Sequence, residues 1–196
     1  MKLNIPNILT ISRVVITPLF LAAILIEQLP HRFLIACAIF SIASITDALD
    51  GYLARKNNQV TNFGKFLDPI ADKVLTTSAL LAFMSMGLCN IWIVMVVLTR
   101  EFAIASVRMI AATNGVVIPA NIWGKIKTVS QMVFTILIML LGEAYYIVEK
   151  SNTELLVKLP DLSLISNGLL WVTGILTVIS GWIYLNESKK IIDFTK

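Results

Sequence analysis

Residues 74–99 and 162–186 hold no Asp, Glu, Lys or Arg, and runs of that length limit the possible folds more than any other feature. A helix crossing a bilayer needs roughly 17–25 mostly apolar residues. Segments of that size can be drawn at residues 8–28, 33–54, 67–87, 90–112, 122–142 and 163–186. The breaks between them carry turn chemistry: EQLPHR, KNNQVTN, GLCN, TNGVVIPAN and EKSNTELLVKLPD. Composition agrees, at 57% hydrophobic, 14% charged and mean hydropathy +0.83. Soluble domains are about 45–50% apolar and roughly 25% charged. The expected fold is an all-α integral membrane protein of six transmembrane helices, with residues 1–196 forming one membrane-embedded domain. The length leaves no room for a second folded unit, and no repeat or low-complexity tract interrupts the chain.

The opening MKLNIPNILT has one lysine and no small-residue cleavage site, so the first apolar segment is expected to stay as a span. Six spans put the N-terminus, the 55–66 gap, the 113–121 gap and the C-terminus on one side. Lys2, Arg13, Arg55, Lys56, Lys65, Lys73, Arg100, Arg108, Lys125, Lys127, Lys189, Lys190 and Lys196 fall there or on helix ends facing it. Only Arg32, Lys150 and Lys158 fall on the other. Positive charge stays inside, so both termini are expected in the cytoplasm. The 143–161 loop, with Glu143, Glu149, Glu154 and Asp161, is expected outside. Cys37 and Cys89 show no metal-type spacing and read as buried, unreactive thiols.

Charge inside a span is costly, about 2.5–3.5 kcal/mol for one residue near a helix centre, and marks a bundle interior or a wet cavity. The stretch 47–72, DALDGYLARKNNQVTNFGKFLDPIAD, concentrates four aspartates in such a setting. At 100° per residue, Asp47, Asp50, Gly51, Ala54 and Arg55 fall on an arc of about 140° of one helix. Gly64, Asp68 and Asp72 fall within about 80° on the next. The polar gap from Lys56 to Phe63 lets the two helices return antiparallel, so that their acidic faces can oppose each other. Carboxylates so close repel, and divalent cations neutralise them; such hard oxygen donors suit Mg²⁺ or Mn²⁺. Two bridged ions form a clamp for a transferring phosphoryl group. A solvated helix–loop–helix with incidental spacing is the plain alternative. The interleaved small residues Gly51, Ala54 and Gly64 and the phosphate-matching fork of Arg55 weigh against it.

The pattern Asp47-x2-Asp50-Gly51-x2-Ala54-Arg55-x8-Gly64-x3-Asp68-x3-Asp72 resembles the signature of the CDP-alcohol phosphatidyltransferase family without a gap or substitution. NIPNILTISRVVITP, TREFAIASVRMIAATNG and WGKIKTVSQM further resemble bacterial members that use glycerol 3-phosphate. The resemblance implies that Asp47, Asp50, Asp68 and Asp72 hold two divalent ions, with Asp72 also the general base. It implies contacts to CDP-diacylglycerol from Asn7, Thr10, Gly51, Arg55, Thr61 and Gly64. It also implies a six-helix bundle in the cell membrane, a homodimer, and an active site facing the cytoplasm. The reaction expected on this basis joins the phosphatidyl group of CDP-diacylglycerol to sn-glycerol 3-phosphate, giving phosphatidylglycerophosphate and CMP.

The signature does not name the acceptor; the remaining charges bear on it. Arg100 and Arg108 stand about 80° apart around the fourth helix, and Lys125 and Lys127 open the fifth. Four cations beside an acidic metal centre fit an acceptor carrying its own phosphate. Glycerol 3-phosphate fits, as does inositol phosphate; serine or phosphatidylglycerol would call for fewer cations. Lys125 and Lys127 can also be read as snorkelling anchors, and Glu101 as pairing away from Arg100, with Arg13 or Lys73. His31 is given only a surface role. Trp92, Trp123, Trp171 and Trp182, with Tyr145 and Tyr146, read as interfacial or lipid-facing aromatics. An intramembrane prenyltransferase also uses aspartate-rich helices, but Gly51-x2-Ala54-Arg55 is not its pattern. A divalent-ion transporter would need sites along a path through both leaflets, whereas these acids cluster towards one.

Overall fold

A computed structural model of the chain describes residues 5–56, 62–113, 121–151 and 159–189, apart from the side chains of residues 5–9, 47–56, 62–70, 72 and 113. Six helices follow in order: α1 (Ile5–Leu25), α2 (Arg32–Lys56), α3 (Asn62–Ser85), α4 (Ile91–Thr113), α5 (Ile122–Ser151) and α6 (Leu162–Lys189).

The turn chemistry of the sequence sets several boundaries. Asn90, Asn121 and Asp161 each accept a hydrogen bond through the side-chain oxygen from the backbone N–H two residues on, in Trp92, Trp123 and Ser163. These bonds satisfy donors that the first helical turn leaves open. The end of α3 is closed by two bonds, Leu88 N–H to the Phe83 carbonyl at 2.8 Å and Gly87 N–H to that of Met84 at 3.1 Å. Gly87 takes φ 74° there, a left-handed conformation glycine adopts without a Cβ penalty.

Three expected boundaries are corrected. The third helix begins at Asn62 instead of 67, so Gly64 lies inside it. The second runs on to Lys56. The fifth continues past 142 to Ser151, which moves Glu143 and Glu149 from an outer loop onto a helix. Glu143 is buried, and its Oε1 lies 2.5 Å from Nδ1 of His31 while Oε2 accepts the Leu34 N–H at 3.3 Å. His31 therefore has a structural partner, which the surface role assigned to it did not foresee. Periodicity could not find this pair, because polar residues at a helix end read as loop.

The long helices α5 and α6 are each apolar and long enough to cross a bilayer. Their polarity is inverted relative to a soluble helix. The inward stripe of α5 holds Lys127, Gln131, Thr135 and Glu143. That of α6 holds Ser166, Thr173, Thr177, Ser180 and Ser188 with Gly174 and Gly181. Outward lie Leu164, Ile175, Val178 and Trp182, each more than half exposed. Small and hydroxylated residues facing inward, with aliphatic residues outward, are how helices pack in lipid; an apolar surface this extensive is rare on a soluble monomer. Trp92, Trp123 and Trp171 are likewise exposed, as lipid-facing aromatics would be. The protein is accordingly built for a membrane.

Packing runs α2 and α3 against α1, α5 against α2 and α6, and α4 against α6, with α3 also touching α4 and α5. An apolar core of Phe20, Ile24, Phe40, Leu80, Phe83 and Ile138 fills one half of the bundle; the Phe20 and Phe40 rings meet at 5.7 Å. A cavity of about 750 Å³ opens at that end, between Leu25, Arg32, Ser85, Tyr145 and Leu162. Helices α2 and α5 approach so closely that a Cβ on Gly142 would stand 2.7 Å from the Phe33 ring. Gly142→Ala is expected to cost about 1–3 kcal/mol by overpacking, read as a lower melting temperature in detergent. Gly168→Ala, where a Cβ meets nothing within 4 Å, is the control and should not lower it; equal melting temperatures would exclude the steric account. Cys37 and Cys89 are buried and free, and burial pushes the Cys89 thiol, in the α3–α4 turn, up to about 11.

Candidate active site

Away from the apolar core, polar side chains enter the interior of the bundle beside a smaller apolar cluster of Ile104, Val107, Ala111 and Tyr184. Thr10, Arg13 and Thr17 form a buried stripe on α1, the helix that packs on both α2 and α3. Thr10, expected to touch the nucleotide lipid, is thus an interior residue, and the Thr17 hydroxyl donates to the Arg13 carbonyl at 2.9 Å.

Asp47, Asp50, Gly51 and Arg55 lie in the last turns of α2, and Gly64, Asp68 and Asp72 in the first three turns of α3. The side chains of these residues, and that of Asn7 on α1, lie outside the described residues, as does Thr61 altogether. Their register is nonetheless carried by helical backbone. Asp47 and Asp50 follow the fully buried Phe40 and Ala43 by seven residues. Gly64, Asp68 and Asp72 precede the buried Ala71, Leu75 and Ala79 by the same interval. Seven residues are two turns with a drift of about 20°. By sequence register each acidic set is in phase with buried positions of its own helix.

A cation cluster begins at the next residue in sequence. Lys73 follows Asp72 on α3, and its Nζ lies 3.8 Å from Oε2 of Glu101 on α4. Arg100 Nη1 donates to Glu101 Oε1 at 2.9 Å, and Lys127 Nζ on α5 donates to the same oxygen at 2.9 Å. One carboxylate thus joins three helices. Arg100 threads a slot between two glycines: Cβ atoms on Gly124 and Gly181 would each stand 3.2 Å from its side chain.

The four expected acceptor cations therefore divide. Arg100 and Lys127 come together on Glu101. Arg108, about 12 Å further along α4, donates from Nε to the Tyr184 hydroxyl at 3.1 Å and lies over that ring. Lys125 is exposed on the outer face of α5, the position a snorkelling anchor takes. Glu101 pairs with Lys73, one of the two partners expected for it, and also with its own neighbour Arg100, which was not. Lys73 was not expected among the cluster's cations; its adjacency to Asp72 was the available signal.

Comparison with known sequences accords with this geometry. The sequence model of the CDP-alcohol phosphatidyltransferase family matches residues 3–179. A CDP-diacylglycerol–glycerol-3-phosphate 3-phosphatidyltransferase of Bacillus subtilis is 37% identical over 94% of this chain and 95% of its own. One from Rickettsia bellii is 35% identical over 95% and 96%, and one from Haemophilus influenzae 44% identical over 67% and 73%. With nearly its whole length matched, the chain belongs to the CDP-alcohol phosphatidyltransferase family.

Proposed function

We propose that the protein transfers the phosphatidyl group of CDP-diacylglycerol to sn-glycerol 3-phosphate, forming phosphatidylglycerophosphate and CMP in phospholipid biosynthesis. The observation that carries this reading is the gathering of Lys73, Arg100 and Lys127 on Glu101, with Lys73 next in sequence to Asp72 of the carboxylate signature. A site that cleaves a diphosphate thereby borders one suited to a second phosphate. The full-length relatives named for this activity support it.

Asp47, Asp50, Asp68 and Asp72 offer only hard oxygen donors, a set that fits Mg²⁺ or Mn²⁺. Bound there, two such ions would neutralise the carboxylates and the charge growing on the departing CMP. Asn7, Thr10, Gly51, Arg55, Thr61 and Gly64 bind CDP-diacylglycerol, Arg55 as a fork to phosphate. Asp72 takes the proton of the glycerol 1-hydroxyl. That oxygen forms a bond to the phosphorus bearing diacylglycerol as the anhydride bond to CMP breaks. Arg100, Lys127 and Lys73 hold the acceptor phosphate, while Arg108, bonded to Tyr184, and Lys125, on the outer face, stand apart from them.

The same reading extends to one catalytic domain over residues 1–196, six spans in the cell membrane with both termini cytoplasmic, a homodimer, and a site open to the cytoplasm and to the leaflet. Lysine and arginine distribution supports the orientation. An acceptor panel tests the function: purified protein in mixed micelles with CDP-diacylglycerol and Mg²⁺ or Mn²⁺, offered glycerol 3-phosphate, inositol phosphate, serine or phosphatidylglycerol. CMP release is expected with glycerol 3-phosphate; preference for another acceptor would overturn the assignment.

A further inference from the structure

We propose that Glu101 is the positioning residue of the acceptor site: its carboxylate gathers Lys73, Arg100 and Lys127 from three helices into one phosphate-binding subsite. The inference rests on the reading of the acceptor as a phosphate monoester and goes beyond it by assigning a role to an anion among the cations.

Three positive side chains on α3, α4 and α5 lie within 4 Å of one carboxylate. Lys127, with 4% of its side chain exposed, and Arg100, with 13%, form the inner wall. Lys73, with 31%, forms the outer one. Without an anion among them, three like charges in this partly desolvated space would repel and move apart. One carboxylate draws the three together. A phosphate monoester brings about −1.5 to −2 near neutral pH, an anion that Lys and Arg donors suit.

The donors are not exhausted by Glu101. Arg100 spends one terminal nitrogen on it, while its buried Nε has no hydrogen-bond partner among the described residues. Gly181 lies against the stem of Arg100 and Gly124 against its other terminal nitrogen, Nη2, so the side chain has little freedom to swing away from the cluster. Glu101, an anion, does not bind the phosphate itself. It acts through the cations by holding them where a phosphate can meet all three.

Steady-state rates of the full-length enzyme in mixed micelles test the inference, with wild type, Glu101→Gln and Glu101→Asp compared over glycerol 3-phosphate and over CDP-diacylglycerol. Glu101→Gln should raise KM for glycerol 3-phosphate about tenfold or more while kcat and KM for CDP-diacylglycerol stay within about threefold. Glu101→Asp keeps the charge with a shorter reach, and should recover a large part of that loss. An unchanged acceptor KM, an equal rise for both substrates, or a loss confined to kcat would overturn the proposal. Should Glu101→Gln fail to fold, Glu101→Asp decides alone, with a smaller rise in acceptor KM supporting the role and no rise refuting it. A separate arm measures thermal protection of wild type by glycerol 3-phosphate against glycerol. If wild type neither turns over nor is protected, the functional reading itself fails and this proposal with it. Turnover in wild type with an unmoved KM in the variants sinks the Glu101 role alone.

Discussion

Asp72→Asn is expected to lower turnover by about 10²–10⁴-fold or more, the range that a positioned general base contributes, while the protein folds as before. The amide keeps the shape of the carboxylate but cannot take the proton from the attacking hydroxyl, and it is a poorer ligand for a hard cation. Folding should be spared because α3 is anchored by Ala71, Leu75, Ala79, Leu80 and Phe83, all buried and none altered. CMP release from CDP-diacylglycerol, with thermal unfolding as the control, measures both halves of the expectation. Turnover near the wild-type rate would remove Asp72 from the chemistry.

The second large effect is on stability. Glu143→Ala should destabilise the protein by about 2–4 kcal/mol, because it withdraws a buried charged acceptor from two donors. The lost partners are His31 Nδ1 and the Leu34 N–H, the latter one of the open donors in the first turn of α2. Glu143 itself is only 5% exposed, so water does not readily replace it. His31→Gly is the informative comparison. It breaks the same ion pair, but His31 sits at φ 54°, a conformation glycine adopts without strain. The glycine variant should therefore fall short of the alanine variant in damage. A melting temperature in Glu143→Ala equal to or above that of His31→Gly would show that the carboxylate does not hold the turn.

These two residues also mark the limits of sequence reading. The register of Asp72 follows from fixed spacing within one helix, and Asp47, Asp50 and Asp68 share that advantage. Glu143 was read as part of an outer loop because the end of α5 is polar; what keeps that end helical is its packing on α2, through the close approach of Gly142 to Phe33. Glu101 shows the intermediate case. Lys73 was one of two partners expected for it, its neighbour Arg100 was not, and Lys127 was recognised only as a cation of interest. That all three meet on one carboxylate depends on how α3, α4 and α5 are set against one another.

By itself, the sequence determined an all-helical chain, the turn stretches between its helices, the phase of the carboxylates and the family. These depend on spacings of three, four and seven residues, which a helix turns directly into a shared face. Only the tertiary structure decided that Lys127 reaches Glu101 across 26 residues, Arg108 reaches Tyr184 across 76, and His31 reaches Glu143 across 112. Such pairs depend on which faces of separate helices come to rest together. That is a property of packing in three dimensions, which no periodicity along one chain encodes.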